Sequence, residues 1–360
     1  MKYALTTLVI LLAAFAPISC ATTEVPAEKW RLEAWFSEHV KPLAARKADL
    51  DPALVAAEES STVVKVRADG SGDFKTITKA IASVPVGNTK RVVIWIGGGV
   101  YKEKVRIDRN KPFITLYGSP NNMPNLTFDG DATKYGTIYS PTLIVEADYF
   151  VAANLVIENS SPRPEGIKGG QALAARMRGN KAAIYNCKFI GFQDTLCDDD
   201  GLHFYKDCFV QGTVDFIFGK GTSLHLNTQM NVVGIGGLGV VAAHSREKED
   251  DPSGYVFAHC SITGTGGKNT YLGRSWRPWS RVVFAYTSIA DILHPEGWDD
   301  MNNPAYDHTV FYGEYKCSGL GAVSTGRAKF GKQLTKAQVK PFINLDFVHA
   351  HKWLLPPPKL

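Results

Sequence analysis

Cysteine is scarce in this chain, six in 360 residues, which excludes a disulfide scaffold. Cys20 lies at the edge of an N-terminal leader, and the other five (Cys187, Cys197, Cys208, Cys260, Cys317) include no Cys-x-x-Cys pair. Nine histidines form no His-Glu-x-x-His cluster, so zinc has no ligand set, and neither a metal nor another cofactor is expected. No run of five Lys/Arg occurs and the net charge is only +5; a nucleic-acid partner is therefore not expected, while the mild excess suits a polyanion. The α/β type of serine hydrolase is disfavoured, because Gly273-Arg274-Ser275-Trp276-Arg277 lacks the second glycine of a nucleophile elbow. Beyond the leader no apolar run approaches the ~18 residues of a membrane span, and no polar linker divides the chain, so one large domain is expected.

What is present is globular: 44% apolar, 21% charged and 11% aromatic residues. Lys2, the apolar stretch Leu8 to Ala16 and the small residues around Ser19-Cys20-Ala21 read as a signal peptide over 1–21, which predicts a secreted, extracellular protein. Asn125 and Asn159 head two Asn-x-Ser/Thr sequons and are glycosylation candidates on that route. Residues 22–60 read as a short helical extension, with Leu32, Trp35, Phe36, Val40 and Leu43 at helical spacing and Pro42 as a break. From 61 to 345 the texture is short β-branched and aromatic runs separated by Gly, Asn and Asp, followed by a tail over 346–360.

Several of these runs align on one another: Asn154-Leu-Val-Ile157, Asn186-Cys-Lys-Phe189, Asp207-Cys-Phe-Val210, His259-Cys-Ser-Ile262 and Tyr286-Thr-Ser-Ile289. Their second and fourth positions are mostly apolar, so the same alternate side chains face inward each time. Strands too short to close a core singly, repeated in this way, predict an all-β solenoid, a right-handed parallel β-helix with short helical extensions at both ends. The offsets of 32, 21, 52 and 27 residues imply loops of unequal length or skipped coils. Cys187, Cys208 and Cys260 fall at equivalent inward positions, where stacked thiols and a single bridge both fit.

The 21-residue step recurs between Asp194 and Asp215, and Gln171 precedes Gln193 by 22. If one coil takes that many residues, these side chains form an outward polar column with neighbours ~4.8 Å apart along the axis. Two carboxylates with amides beside them suit acid/base or nucleophilic chemistry on a carbonyl or glycosidic bond. An Arg beside one carboxylate would hold it ionised and leave the proton on the other. Such residues in a β-helix also serve turns and ladders, and the run Asp198-Asp199-Asp200 reads as a solvated turn rather than a calcium site.

Four segments resemble, in order, the signature segments of plant pectin methylesterases: Gly170-Gln-Ala-Leu-Ala174, Gly191-Phe-Gln-Asp-Thr-Leu196, Gly212-Thr-Val-Asp-Phe-Ile-Phe-Gly219 and Leu272-Gly-Arg-Ser-Trp276. The resemblance runs from about Val63 to the C-terminal tail and implies hydrolysis of the methyl esters of homogalacturonan in a cell wall. It implies Asp215 as nucleophile, Asp194 as general acid and base, Gln171 and Gln193 as oxyanion-hole amides, and Arg274 as the partner of Asp215. It also implies Trp276 as a sugar-stacking ring. Trp298 looks similar to a second such ring, although a packing role fits it equally. Phe216 and Phe218 read as packing beside the nucleophile, with a wall of the groove between them as the other reading. Ser275 stands where the family usually has Pro. With no long inhibitor-like pro-region, the chain resembles the short type. A small inhibitor protein is an implied partner and a monomer is expected. The rival readings are another β-helix pectin enzyme, a lyase or galacturonase, and a wall-binding protein without turnover.

Overall fold

The computed structural model describes residues 23–163, 168–234 and 237–360; the expected signal segment, 1–21, lies outside the described residues. Short strands stack into three sheets of eleven, eight and eight strands, and every pairing between strands of these sheets is parallel. Successive strands of one coil fall in different sheets, so each sheet collects one strand per coil. This is the right-handed parallel β-helix expected from the repeat.

The repeated tetrads are its corners. Asn154, Asn186, Asp207, His259 and Tyr286 all adopt left-handed backbone, with φ between 47° and 59°. Asn and Asp tolerate this region better than other L-residues. Their side chains also bond along the axis: Asn186 Nδ2 donates to Asn154 Oδ1 at 2.9 Å, and Asn227 Nδ2 to Asp207 Oδ1 at 2.6 Å. His259 and Tyr286, poorer residues for such a corner, instead stack their rings 4.8 Å apart. The long offset between Asp207 and His259 contains a skipped rung, Asn227-Thr-Gln-Met230, and a further left-handed corner follows at Lys316. The inward second positions, Cys187, Cys208, Thr228, Cys260 and Thr287, are buried, and all five described cysteines carry free thiols.

Inside the solenoid, rings on neighbouring rungs stack in register: Tyr205 on His225 at 4.2 Å, His225 on Phe257 at 4.7 Å, and Phe257 on Phe284 at 4.7 Å. A second apolar layer covers the outer face of the eleven-stranded sheet. There the helix Leu32–His39 lays Phe36 flat on Phe204, ring centroids 5.8 Å apart, and C-terminal residues Val339, Ile343, Val348 and Trp353 complete the cover. The helix stops before Lys41-Pro42, as a residue preceding proline disfavours helical backbone. A second helix, Pro52–Glu59, starts with Pro in its first turn, where the missing N–H has no helical partner to lose. Among the described residues no helix is long and apolar enough to cross a membrane.

Candidate active site

One eight-stranded sheet carries the candidate residues. Its neighbouring strands are Ala175–Met177, Leu196–Asp198, Ile217–Gly219, Gly239–His244, Thr270–Arg274 and Trp298–Asp299. Leu196 pairs with Ile217 and Cys197 with Phe218, so the register is 21 residues at the coils of Asp194 and Asp215. The backbone N–H of Asp194 donates to Val214 at 3.0 Å, and that of Ala172 to Gln193 at 3.2 Å. Gln171, Gln193 with Asp194, and Asp215 thus sit on three consecutive coils.

Both aspartates have left-handed backbone, φ 63° at Asp194 and 50° at Asp215. Left-handed turns recur throughout this solenoid, and Asp is among the residues that tolerate them. Each stands just before its strand, where the turn aims its side chain away from the ladder.

Arg274, three rungs along the sheet from Cys197, reaches back to Asp215. Its Nε donates to Oδ1 at 2.7 Å, and Nη2 donates to Oδ2, a two-point grip. Burial pushes the Asp215 carboxyl up from its ordinary value, and Arg274 opposes that rise. Asp194 is displaced further: burial first, and then the Asp215 charge, push its carboxyl well above the usual range, with Arg274 opposing. The two carboxyls therefore sit in unequal surroundings, Asp215 gripped by Arg274 and Asp194 buried beside the Asp215 charge. Neither Gln171 nor Gln193, both half-buried, spends its side-chain amide on another protein group among the described residues.

Trp276 is 40% exposed, its ring edge-on to Phe218 at 5.9 Å. Phe218 with Leu173, Cys197 and Ala243 makes a small apolar floor outside the solenoid, whereas Phe216 is core. Trp298 is a correction to the expectation of a second sugar platform. It is 1% exposed, stacked on Tyr312 at 4.4 Å, and has no free face. The backbone N–H of Ser275 donates to Asp299 at 3.1 Å, a bond that proline at this position could not make.

Asn159 is corrected as well. Its Nδ2 is buried and donates to Gly130 and Leu173, which leaves no room for a glycan in this fold. Asn125 is half-buried, and its Nδ2 donates to Glu158 at 2.8 Å.

The aspartate run is not a solvated turn throughout. Asp200 is exposed and Asp199 pairs with Arg176 at 2.7 Å, but Asp198 is fully buried against His203. The sequence signal for this was His203 at an inward position of the strand Leu202–Lys206, five residues after Asp198. No group of metal-ligating side chains able to hold an ion occurs among the described residues.

Comparison with known proteins bears on the family and the fold. The pectinesterase family model matches residues 63–351. Putative pectinesterase 63 of Arabidopsis thaliana is 51% identical over 335 residues, covering 93% of this chain and 91% of its own length. Probable pectinesterase 50 of the same plant is 48% identical over 362 residues, with both chains covered completely. Among solved structures, the pectin methylesterase from carrot superposes with a TM-score of 0.75 at 30% identity, covering 81% of this chain and 94% of its own. By sequence over nearly its whole length, and by fold, the chain belongs to the pectinesterase family.

Proposed function

We propose that this pectinesterase divides the demethylation of pectin between its two unequal aspartates. Asp215, ionised, attacks the C6 carbonyl of a methylated galacturonate residue. The amides of Gln171 and Gln193 donate to the oxygen as it gains negative charge. The tetrahedral adduct collapses by breaking the bond to the methoxy oxygen, which takes the Asp194 proton and leaves as methanol. Asp194, now a carboxylate, removes a proton from water. The resulting hydroxide attacks the acyl-enzyme, and the Asp215 carboxylate departs, leaving the free galacturonate acid. Trp276 offers its exposed face to the C–H side of a sugar ring.

The observation that carries this reading is the one-sided grip of Arg274, on Asp215 and not on Asp194. A nucleophile needs its lone pairs at working pH and a general acid needs its proton, and the environment sorts the two carboxyls in that order. Asp215→Asn should abolish methanol release from esterified pectin while leaving the fold intact; continued release by that variant would refute the nucleophile. A lyase would betray itself by unsaturated products in the same assay.

The leader supports secretion to the cell wall, where a net positive charge favours residence on the polyanionic product. The enzyme works as a monomer open to a small inhibitor protein across the groove.

A further inference from the structure

The strand Trp298–Asp299 is only two residues long and forms the edge of the catalytic sheet, directly beside the strand that ends in Arg274. Two residues of ladder are too little to hold an edge by themselves. The clamp between the two strands consists of the pairings Gly273 with Trp298 and Arg274 with Asp299, flanked by hydrogen bonds from Leu272 to Gly297 at 2.7 Å and from Ser275 to Asp299 at 3.1 Å. Beside these backbone bonds, one large side chain ties the edge to the core. The Trp298 indole points into the solenoid and stacks on Tyr312 at 4.4 Å with its plane tilted by only 10°. It also leans on Phe284 and closes over Gly273, where any Cβ would come within 3.1 Å of the indole ring.

The indole is itself fixed from behind. Its Nε1–H donates to Glu314 Oε1 at 3.3 Å, and Glu314, 1% exposed, takes a two-point grip from Arg327 at 2.9 and 3.1 Å. Arg327 spends its remaining donors on the carbonyls of Gly321 and Pro295, at 2.6 and 3.1 Å, and so ties down the loop that leads into Trp298. All of these bonds are made within the protein. Their only outward consequence is at Arg274 and Asp299, which alternate to the opposite face of the two strands.

We propose that Trp298, locked by the buried Glu314–Arg327 pair, is the positioning residue that holds Arg274 in its two-point grip on Asp215. The Gly-Trp dipeptide at 297–298 thus acts from beneath the site, not from the sugar side. The proposal rests on Asp215 being the nucleophile. A loosened edge strand lets the guanidinium drift from the carboxylate, and Asp215 then loses the partner that opposes its rise on burial.

The test compares Trp298→Leu, Trp298→Phe and Glu314→Gln with Leu126→Ala, a core truncation in a different sheet and remote in sequence. Methanol release is followed against pH, per folded molecule, with unfolding monitored in parallel. Trp298→Leu should lower kcat about 10-fold or more with KM within about twofold, and should move the acidic limb of kcat/KM upward by about half a pH unit or more. Glu314→Gln should do the same more weakly, and Trp298→Phe, which keeps a ring over Gly273, should recover most of the activity. If Trp298→Leu fails to fold, Glu314→Gln decides. Leu126→Ala should lose stability with an unmoved profile. An unshifted limb in the Trp298 and Glu314 variants, or an equal shift in Leu126→Ala, overturns the proposal. Methanol release by Asp215→Asn would instead refute the nucleophile assignment beneath it.

Discussion

Arg274 holds both carboxylate oxygens of Asp215, while Asp194, one coil away in register, has no cation on it. A guanidinium matches a carboxylate with two parallel donors in one plane, which an ammonium cannot do. Arg274→Lys should therefore keep a charge near Asp215 but lose its orientation, lowering kcat/KM by about 10²- to 10³-fold. Because Arg274 is what restrains the rise of the Asp215 carboxyl, the acidic limb should move to higher pH. A full-rate Lys variant with an unchanged profile would show that the bidentate geometry is irrelevant.

Asp194 illustrates the tension between activity and stability. Its folded-state carboxyl is raised, so the folded form favours the proton; the stability this confers is complete below the unfolded value of ~3.9 and is lost as pH rises through the folded value. Asp194→Asn removes that loss. Methanol release should fall by at least ~10³-fold, while the melting temperature rises by about 2–4 °C, more at about pH 8 than at about pH 4. A melting temperature that falls equally at both pH values would contradict the protonated, buried acid.

The asparagine corners explain how much of the architecture could be read in advance. Asn154, Asn186 and Asp207 mark left-handed turns because their short polar side chains suit that backbone and bond along the axis. Lys316 does the same job without advertising it, whereas Asn227-Thr-Gln-Met230 fits the pattern as well as Tyr286-Thr-Ser-Ile289 does and was legible without being read. The equal 21-residue steps placed Asp194 and Asp215 side by side, since a parallel ladder without insertions translates spacing directly into register. Arg274 obeys no such spacing, because coils with longer loops intervene. Only the resemblance pointed to it. Trp298 and Asp198 were legible as residue types but not as environments: whether a side chain points into or out of a solenoid depends on a register that one slipped residue reverses.

Gln171 and Gln193 are half-buried, and among the described residues their amides have no side-chain hydrogen bond to protein, which suits them to donate to a ligand in the groove. Truncating either to Ala should lower kcat by about 10²-fold with little change in KM, the signature of a donor that works mainly on the developing oxyanion. Gln→Glu should be worse than Gln→Ala at either position, since a carboxylate there faces the same negative oxygen. A KM effect without a kcat effect would reassign these amides to ground-state binding.

Trp276 and Trp298 should respond in opposite ways. Trp276 is exposed and rests edge-on against Phe218, so Trp276→Ala should raise KM about 3- to 10-fold, the loss of one aromatic contact, with the melting temperature nearly unchanged. Trp298→Ala empties the space between Tyr312, Phe284 and Gly273 and should destabilise by ~3–5 kcal/mol, measurable by urea unfolding. Equal KM effects from the two would mean that the buried ring reaches substrate after all.

The buried Asp198–His203 pair gives the fold its own pH dependence. His203 bonds the Gly179 carbonyl through Nε2 at 2.9 Å and Asp198 through Nδ1, an arrangement that suits an imidazolium against a carboxylate. Its folded-state value is raised, despite burial, by the Asp198 charge, and Asp198 is held well below the usual carboxylate range. The stability owed to the pair is therefore present between the unfolded carboxylate value of ~3.9 and the unfolded histidine value of ~6.5, and is lost as pH rises through the folded value of His203. His244 works in the other direction: burial holds it down at about 3, so the unfolded chain gains a proton that the folded chain refuses, and stability falls as pH drops below the unfolded value of ~6.5. Asp198→Asn leaves His203 buried with no counter-charge and should cost about 3–5 kcal/mol near pH 6. Urea unfolding across the pH range should show that penalty shrinking toward alkaline pH as His203 loses its proton in the parent protein as well. A penalty constant with pH would mean that His203 is neutral throughout and that Asp198 holds it by hydrogen bonding alone.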